Sequence, residues 1–382
     1  MPTAEGCKRR RARLWERVRE TPGGEAVRAL LVTDPRHLVY LADYFPTPFV
    51  FRSYGQSAAL LIDAEGNAIL FADANCRLFA EEAFVEERVL FTWYDGKQSA
   101  PARKASFAGH LALECQWRLG DARVGVEPSS LPLGVAEKLT GTKFDVEPIL
   151  HAMKRNKDAD EIAILRQSME AGVAGYLAAR QHVEPGMTEL QAYLIVAETS
   201  QLAAGTAAIV YGDFVSGPRT VTGGGAATNR VIEAGDLLLL DFSVVLREYR
   251  GDFAGTFAVK SQATDEQRRA HGAAMHAMEA GEVLLRPGMA CAEIDRTVRD
   301  ELARAGYGDF FKSHVGHGLG LGHPDPPYIV PESSDVLEVG DVVTLEPGVF
   351  MPGKWGLRVE RNYLITEIGA ENLTRHPLDI DG

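Results

Sequence analysis

The sequence predicts an α/β (α+β) chain of two domains, residues 1–150 and 151–382, the second being a duplicated unit with pseudo-two-fold halves. Three observations predict it. Short strand-like and helix-like segments alternate over the first part. The pattern changes near residue 151, where a capping signal opens a long helix. Matching short motifs then recur in the second part at offsets of 102 and 105 residues.

In the first part, the basic run Lys8-Arg9-Arg10-Arg11 has no apolar stretch behind it. It reads as a solvated helix face and not as a signal peptide. Ala29-Leu30-Leu31-Val32 reads as a buried strand. Ala59 to Ile62 and Ala68 to Phe71 flank Asp63-Ala64-Glu65-Gly66-Asn67, which reads as a hairpin. Val124-Gly125-Val126 is a further short strand. No constellation of catalytic residues appears here, so this domain reads as a scaffold, or as a lid or dimer surface.

The second part opens on Asp158 and Glu161, spaced as a capping box, followed by Ile162, Leu165, Met169, Val173, Tyr176 and Leu177 at helical spacing. Glu184-Pro185-Gly186-Met187 opens another helix, with Thr188 and Gln191 as a second capping box, and Arg286-Pro287-Gly288-Met289 repeats that opening 102 residues on. Gly235-Asp236 leads through four apolar residues to Asp241; Gly340-Asp341 leads through four mostly apolar residues to Glu346, 105 residues later. The period is too long for a solenoid of small repeats and fits a duplicated α/β unit whose halves present carboxylates to a shared axis.

Composition excludes several classes of function. The net charge of -13, from 40 basic and 53 acidic side chains, disfavours a nucleic-acid partner, because phosphate binding needs a basic surface. No apolar run approaches the ~20 residues of a membrane span. Cys7, Cys76, Cys115 and Cys291 are far apart and have no metal-ligand spacing, so they read as reduced thiols of a cytoplasmic protein.

The chemistry lies in the second part. Leu237 to Val245 reads as a buried strand, Arg247 to Gly251 as a turn, and Asp252 to Val259 as a returning strand, which would set Asp241 roughly opposite Asp252. Glu346 and Glu360 repeat the arrangement around the turn Met351-Pro352-Gly353-Lys354-Trp355-Gly356. Converging carboxylates in apolar surroundings repel one another and must be paired, protonated or bound to metal. Between these pairs stands Ser313-His314-Val315-Gly316-His317-Gly318-Leu319-Gly320-Leu321-Gly322-His323, three histidines in a segment whose glycines let the backbone pass close to a ligand. Carboxylates suit Mn²⁺, and the added imidazole also suits Zn²⁺ or Co²⁺.

The ordered set Asp241, Asp252, His317, Glu346, Glu360 resembles the ligand series of the pita-bread metallopeptidases, the family of methionine aminopeptidase, aminopeptidase P and prolidase. The frames Leu240-Asp241-Phe242, Gly251-Asp252, Gly316-His317-Gly318-Leu319-Gly320, Leu345-Glu346-Pro347-Gly348 and Arg358-Val359-Glu360 look like that family's motifs. The first domain resembles the N-terminal domain of creatinase, prolidase and aminopeptidase P. The resemblance implies a pita-bread catalytic domain and two divalent metal ions per chain, manganese first and zinc or cobalt next. It implies that Asp241 chelates one metal, that His317 and Glu346 bind the other, and that Asp252 and Glu360 bridge both. It further implies that Glu346 is the general base, that Arg358 holds Glu360 or a substrate carboxylate, with an ordinary supporting ion pair as the equal alternative, and that the chain is a homodimer acting on short peptides with proline second.

Two departures concern substrate contacts. The family's proline-specific members carry a histidine where this chain has Gly224. Their histidines flanking the metal-binding one stand four before and seven after it, whereas His314 stands three before His317 and His323 six after. His323 is the expected substitute for the absent substrate-contacting histidine, with a supporting contact that tunes His317 as the equal alternative, and His314 is a further candidate catalytic residue. The departures leave an alternative on the same fold: metal-dependent hydrolysis or lysis of a small non-peptide amide or zwitterion.

Overall fold

The computed structural model describes residues 1–382 and divides into two compact units, Met1–Lys154 and Arg155–Gly382. The helix Glu147–Met153 spans the expected boundary at residue 150 and belongs to the first unit.

The first unit is built on a six-stranded sheet of β1 (Ala29–Val32), β2 (Ala58–Asp63), β3 (Ala68–Asp73), β4 (Glu87–Phe91), β5 (Val124–Val126) and β6 (Lys143–Asp145), in the order β4-β3-β2-β1-β5-β6. β1, β2 and β3 are antiparallel, with the expected hairpin between β2 and β3, while β5 and β6 run parallel to β1. Leu31, Leu61 and Phe71 from the strands pack with Phe107 and Leu111 of the helix Arg103–Leu119.

The basic run corrects the sequence reading. It lies on the helix Ala4–Glu20, and Lys8 and Arg9 are exposed, but Arg10 and Arg11 are buried. Arg10 Nε donates to Tyr40 O at 2.6 Å. Arg11 donates to Gly66 O (2.8 Å), Leu41 O (3.1 Å) and Phe84 O (2.8 Å), with Glu86 Oε1 at 3.2 Å. These arginines tie carbonyls left open at the ends of other elements. The four cysteines are free and buried.

The second unit contains the repeat. Its first half has the helices Ala159–His182 and Glu189–Ala204 and the antiparallel sheet β7 (Ile209–Ser216), β8 (Leu237–Leu246) and β9 (Tyr249–Ala258). Its second half has the helices Asp265–Glu282 and Cys291–Arg304, then β10 (Gly316–Gly318), β11 (Asp325–Ile329), β12 (Val342–Leu345), β13 (Gly348–Met351), β14 (Trp355–Arg358), β15 (Arg361–Thr366) and β16 (Gly369–Asn372). Both expected capping boxes form, and a third, Thr264 with Gln267, opens the second half. The halves share an internal anchor. Gly186 N–H donates to Ile232 O (2.9 Å) and Ile232 N–H to Met187 O (2.8 Å); Gly288 N–H donates to Leu337 O (2.8 Å) and Leu337 N–H to Met289 O (2.9 Å).

One local expectation fails. The turn after β8 is only Arg247-Glu248, both at positive φ (49° and 67°), and β9 has begun by Tyr249. A two-residue hairpin of this kind has left-handed backbone at both positions, which composition signals only when glycine, asparagine or aspartate supplies it. Asp241 therefore pairs with Ala254, and Asp252 with Ser243. The two acids are not opposite each other but share one face two residues apart, because side chains alternate along a strand. No helix is long and apolar enough to cross a membrane.

Candidate metal centre and active site

Each acid of the expected set is delivered by a different constraint. Asp241 follows the fully buried Leu237–Leu240 on β8, and Asp252 lies on β9 with its carboxylate facing the same side. Glu346 directly follows β12, where its N–H donates to Val315 O (2.9 Å) and its Oε1 accepts from Thr344 Oγ1 (3.0 Å). Glu360 joins β14 to β15, held by donation of its N–H to Ala254 O on β9 at 3.1 Å. His317 is in β10. Gly316 before it lies so close to β12 that a Cβ there would stand 2.0 Å from Thr344 O. That glycine brings a strand against its neighbour's backbone, not against a ligand as its composition led us to expect.

These side chains converge. Asp241, Asp252 and Glu360 bring ligand atoms within 4.8 Å of one another; so do His314, His317 and Glu346, and so do Asp252, His317 and His323. Shared members join the three groups into one centre. His317 Nδ1–H donates to Gly318 O (2.9 Å), which leaves Nε2 facing Glu346 Oε1 (3.3 Å) and Asp252 Oδ2 (3.7 Å). A backbone acceptor on one ring nitrogen that frees the other is the usual arrangement of a ligating imidazole.

The two histidines at shifted spacing are both drawn to ligand carboxylates. His323 Nε2 is 2.8 Å from Asp252 Oδ2, and His314 Nε2 is 3.2 Å from Glu346 Oε1. Of the roles expected for Arg358, the contact formed is the supporting ion pair: its Nη1 donates to Asp241 Oδ2, with Nε 3.8 Å from Glu346 Oε2. The reason is positional: Arg358 exchanges hydrogen bonds with Thr256 Oγ1 on β9 (3.0 and 3.1 Å), and Thr256 is paired with Leu239, two residues before Asp241.

The electrostatics are those of a carboxylate cluster short of positive charge. Burial, with Asp252, Glu346 and Asp213 adding to it against Arg358, pushes Asp241 up to about 7. Burial and the neighbouring carboxylates hold Glu360 well above the ordinary range. Glu346 goes the other way: despite burial, hydrogen bonds from His314 and His317 hold it well below its usual value. Burial works against protonation of His317, but Glu346 and Asp252 outweigh it and raise the imidazole to about 9.

The donor set fits a pair of divalent cations. Glu360 is 1% exposed, and its Oε1 has no hydrogen-bond donor in the chain. A buried carboxylate oxygen without a donor is costly unless a cation satisfies it. Four carboxylates and an imidazole are the ligands that manganese, zinc and cobalt share.

Several contributors escaped the sequence reading. Asn362 Nδ2 donates to Asp252 O, Ser243 Oγ lies 3.4 Å from Asp252 Oδ1, and Asp213 lies opposite Asp241 on β7. Their only signal is proximity to a ligand along or across a strand, which requires the register.

Residues 163–367 match the model of metallopeptidase family M24, and residues 15–153 match the creatinase/prolidase N-terminal domain. An uncharacterized peptidase of Bacillus subtilis is 31% identical over 68% of this chain and 75% of its own length. An Xaa-Pro dipeptidase of Pyrococcus horikoshii is 29% identical over 67% of this chain and 74% of its own. Among solved structures, an Xaa-Pro dipeptidase from Bacillus anthracis superposes with a TM-score of 0.82 at 23% identity, covering 97% of this chain and 99% of that one. The prolidase from Pyrococcus horikoshii gives 0.80 at 24%, over 97% and 99%. These superpositions establish the pita-bread fold preceded by a creatinase-type domain. With 205 of 382 residues inside the family match, the chain belongs to metallopeptidase family M24.

Proposed function

We propose that the chain is a metal-dependent exopeptidase that hydrolyses Xaa-Pro dipeptides. The observation that carries the reading is the convergence of Asp241, Asp252, His317, Glu346 and Glu360 into one centre, supported by relatives that bear the name Xaa-Pro dipeptidase. Asp241, Asp252 and Glu360 would hold one cation; His317, Glu346 and the shared Asp252 and Glu360 would hold the second. Bound there, the pair supplies Lewis acidity to a peptide carbonyl and makes a water acidic enough to attack near neutral pH. The donor set favours Mn²⁺, with Zn²⁺ or Co²⁺ next.

The chain's own groups then have separable tasks. Glu346, as a carboxylate at the centre, takes the proton of the attacking water and returns it to the departing proline nitrogen as the C–N bond breaks. His314 steadies Glu346 from the more exposed side. Arg358 fixes Asp241, and His323 fixes Asp252, so both act as positioning residues through the carboxylates they hold. The buried thiols support a reducing, cytoplasmic setting, and a homodimer is the assembly we expect.

The test combines metal analysis of the purified chain with a panel of Xaa-Pro dipeptides, Xaa-Pro-Yaa tripeptides, proline-free peptides and N-acetylated dipeptides, assayed with and without Mn²⁺. Free Xaa-Pro dipeptides should be turned over fastest, and only by the metal-loaded chain. Full activity after chelation, or comparable rates on blocked peptides, would refute the reading. Gly224 favours one second reading, a small non-peptide amide or zwitterion as substrate; turnover of no peptide in the panel by the metal-loaded chain would point there.

A further inference from the structure

β7 brings to the centre a carboxylate that the ligand set does not use. Asp213 lies directly opposite Asp241 in the β7–β8 ladder. Opposite residues of an antiparallel pair project to the same face, with Cβ atoms about 4.5–5.5 Å apart. Asp213 is nevertheless outside the three ligand groups. Its Oδ1 is fixed by the N–H of Gly225 at 2.8 Å. Its Oδ2 has no hydrogen-bond partner in the chain and lies over Gly224, where an added Cβ would stand 2.3 Å away. Gly224 is not in the left-handed region, so its backbone does not call for glycine. Space does: any side chain there would displace the Asp213 carboxylate. The absent side chain at position 224 and the acid at position 213 are thus one feature.

Its charge has no internal match. Two divalent cations would balance the four ligand carboxylates. Arg358 is engaged by Asp241, and Arg219, the cation nearest in the chain to this loop, is engaged by Glu189 and by Ala226 O at 3.0 Å. Asp213 is half-buried, so it can be reached and yet is partly shielded from water. A fixed, partly desolvated carboxylate with one open oxygen is an acceptor for a small cation that carries several N–H donors.

We propose that Asp213 is the specificity-determining residue that receives the α-ammonium group of the substrate. The inference rests on the peptidase reading and deepens it, since it assigns the selection of a free amino terminus to one side chain. Neither Asp241 nor Asp252 can serve, because both are committed to the metal centre.

The test compares Ala-Pro with propionyl-proline, its twin without the amine, on the metal-loaded chain. Asp213→Asn keeps an acceptor for Gly225 N–H and removes the charge. KM for Ala-Pro should rise on the order of tenfold to a hundredfold, the range of a charge-assisted hydrogen bond, while the inhibition constant of propionyl-proline and the metal content stay unchanged. Gly224→Ala, which presses a methyl group onto the carboxylate, should shift the same ratio in the same direction. Equal losses for both ligands, or a fall in metal content, would overturn the proposal, because Asp213 would then act on Asp241 and not on substrate. If wild type does not cleave Ala-Pro, the functional reading fails separately. Calorimetric binding of the same two compounds to wild type and Asp213→Asn then decides the role of Asp213, a preference for the amine that the variant loses supporting it and no such loss refuting it.

Discussion

The two units bury charge in opposite ways. In the first, Arg10 and Arg11 are almost wholly inaccessible, yet backbone carbonyls and Glu86 meet them on several sides. In the second, Asp252, Glu346 and Glu360 are equally inaccessible, but they crowd one another, and one oxygen of Glu360 has no donor. A buried charge whose partners are all internal is structure; one whose partners are missing is a place prepared for something from outside. The contrast separates an N-terminal helix anchor from a candidate metal centre.

The strongest way to break this comparison is to neutralise Glu360. Glu360→Gln should abolish turnover and lower the metal content per chain, measured by elemental analysis. In metal-free protein the same change should leave thermal stability equal or higher, because it removes a buried carboxylate that lacks a partner. A metal-free variant clearly less stable than metal-free wild type would mean that Glu360 is satisfied internally. The matching change in the first unit is Arg11→Leu. It strands three carbonyls, so it should destabilise that unit by about 3–5 kcal/mol in urea unfolding while leaving metal content and kcat in native conditions unchanged.

A third test uses a buried group that must stay neutral. His376 packs against Tyr176 and Phe253, and burial, helped by Arg361 and Arg180 and opposed by a contact with Ala254 O, lowers it to about 4. A histidine depressed in the folded state takes up its proton more readily when unfolded. Its neutral form costs nothing above pH 6.5, and stability falls as pH drops from 6.5 towards 4, by about 3 kcal/mol in all. His376→Gln should flatten that part of the pH profile of the second unit's unfolding relative to wild type. Equal slopes would show that His376 is not the group responsible. The smallest effect should come from His323→Ala, which frees Asp252 from one contact. It should weaken metal affinity by about 10–100-fold, with the rate per bound metal preserved. A loss of rate at full occupancy would instead place His323 on the substrate.

Much of the centre was legible in the sequence because each ligand stands in a short, distinctive frame, and the repeat was legible because Gly186 and Gly288 need left-handed backbone at equivalent turns. What escaped depends on register. Arg247 and Glu248 make a two-residue turn from residues that seldom adopt positive φ, so the pairing of Asp252 with Ser243 was hidden. Asp213 was hidden for a related reason, since nothing in its own stretch of chain announces that it faces Asp241. Arg10 and Arg11 looked like a solvated run because their backbone acceptors come from segments 30 to 73 residues away.

The duplication has a thermodynamic consequence. Asp241 and Asp252 belong to one half and His317, Glu346 and Glu360 to the other, so a cation pair held among them is cohesion between the halves. Its binding free energy enters the cost of any local opening that parts β9 from the segment around Glu360. Loading the centre should therefore slow amide exchange in β8, β9, β12 and β15 together, as a single cooperative unit, with the ions acting as a rivet through both leaves.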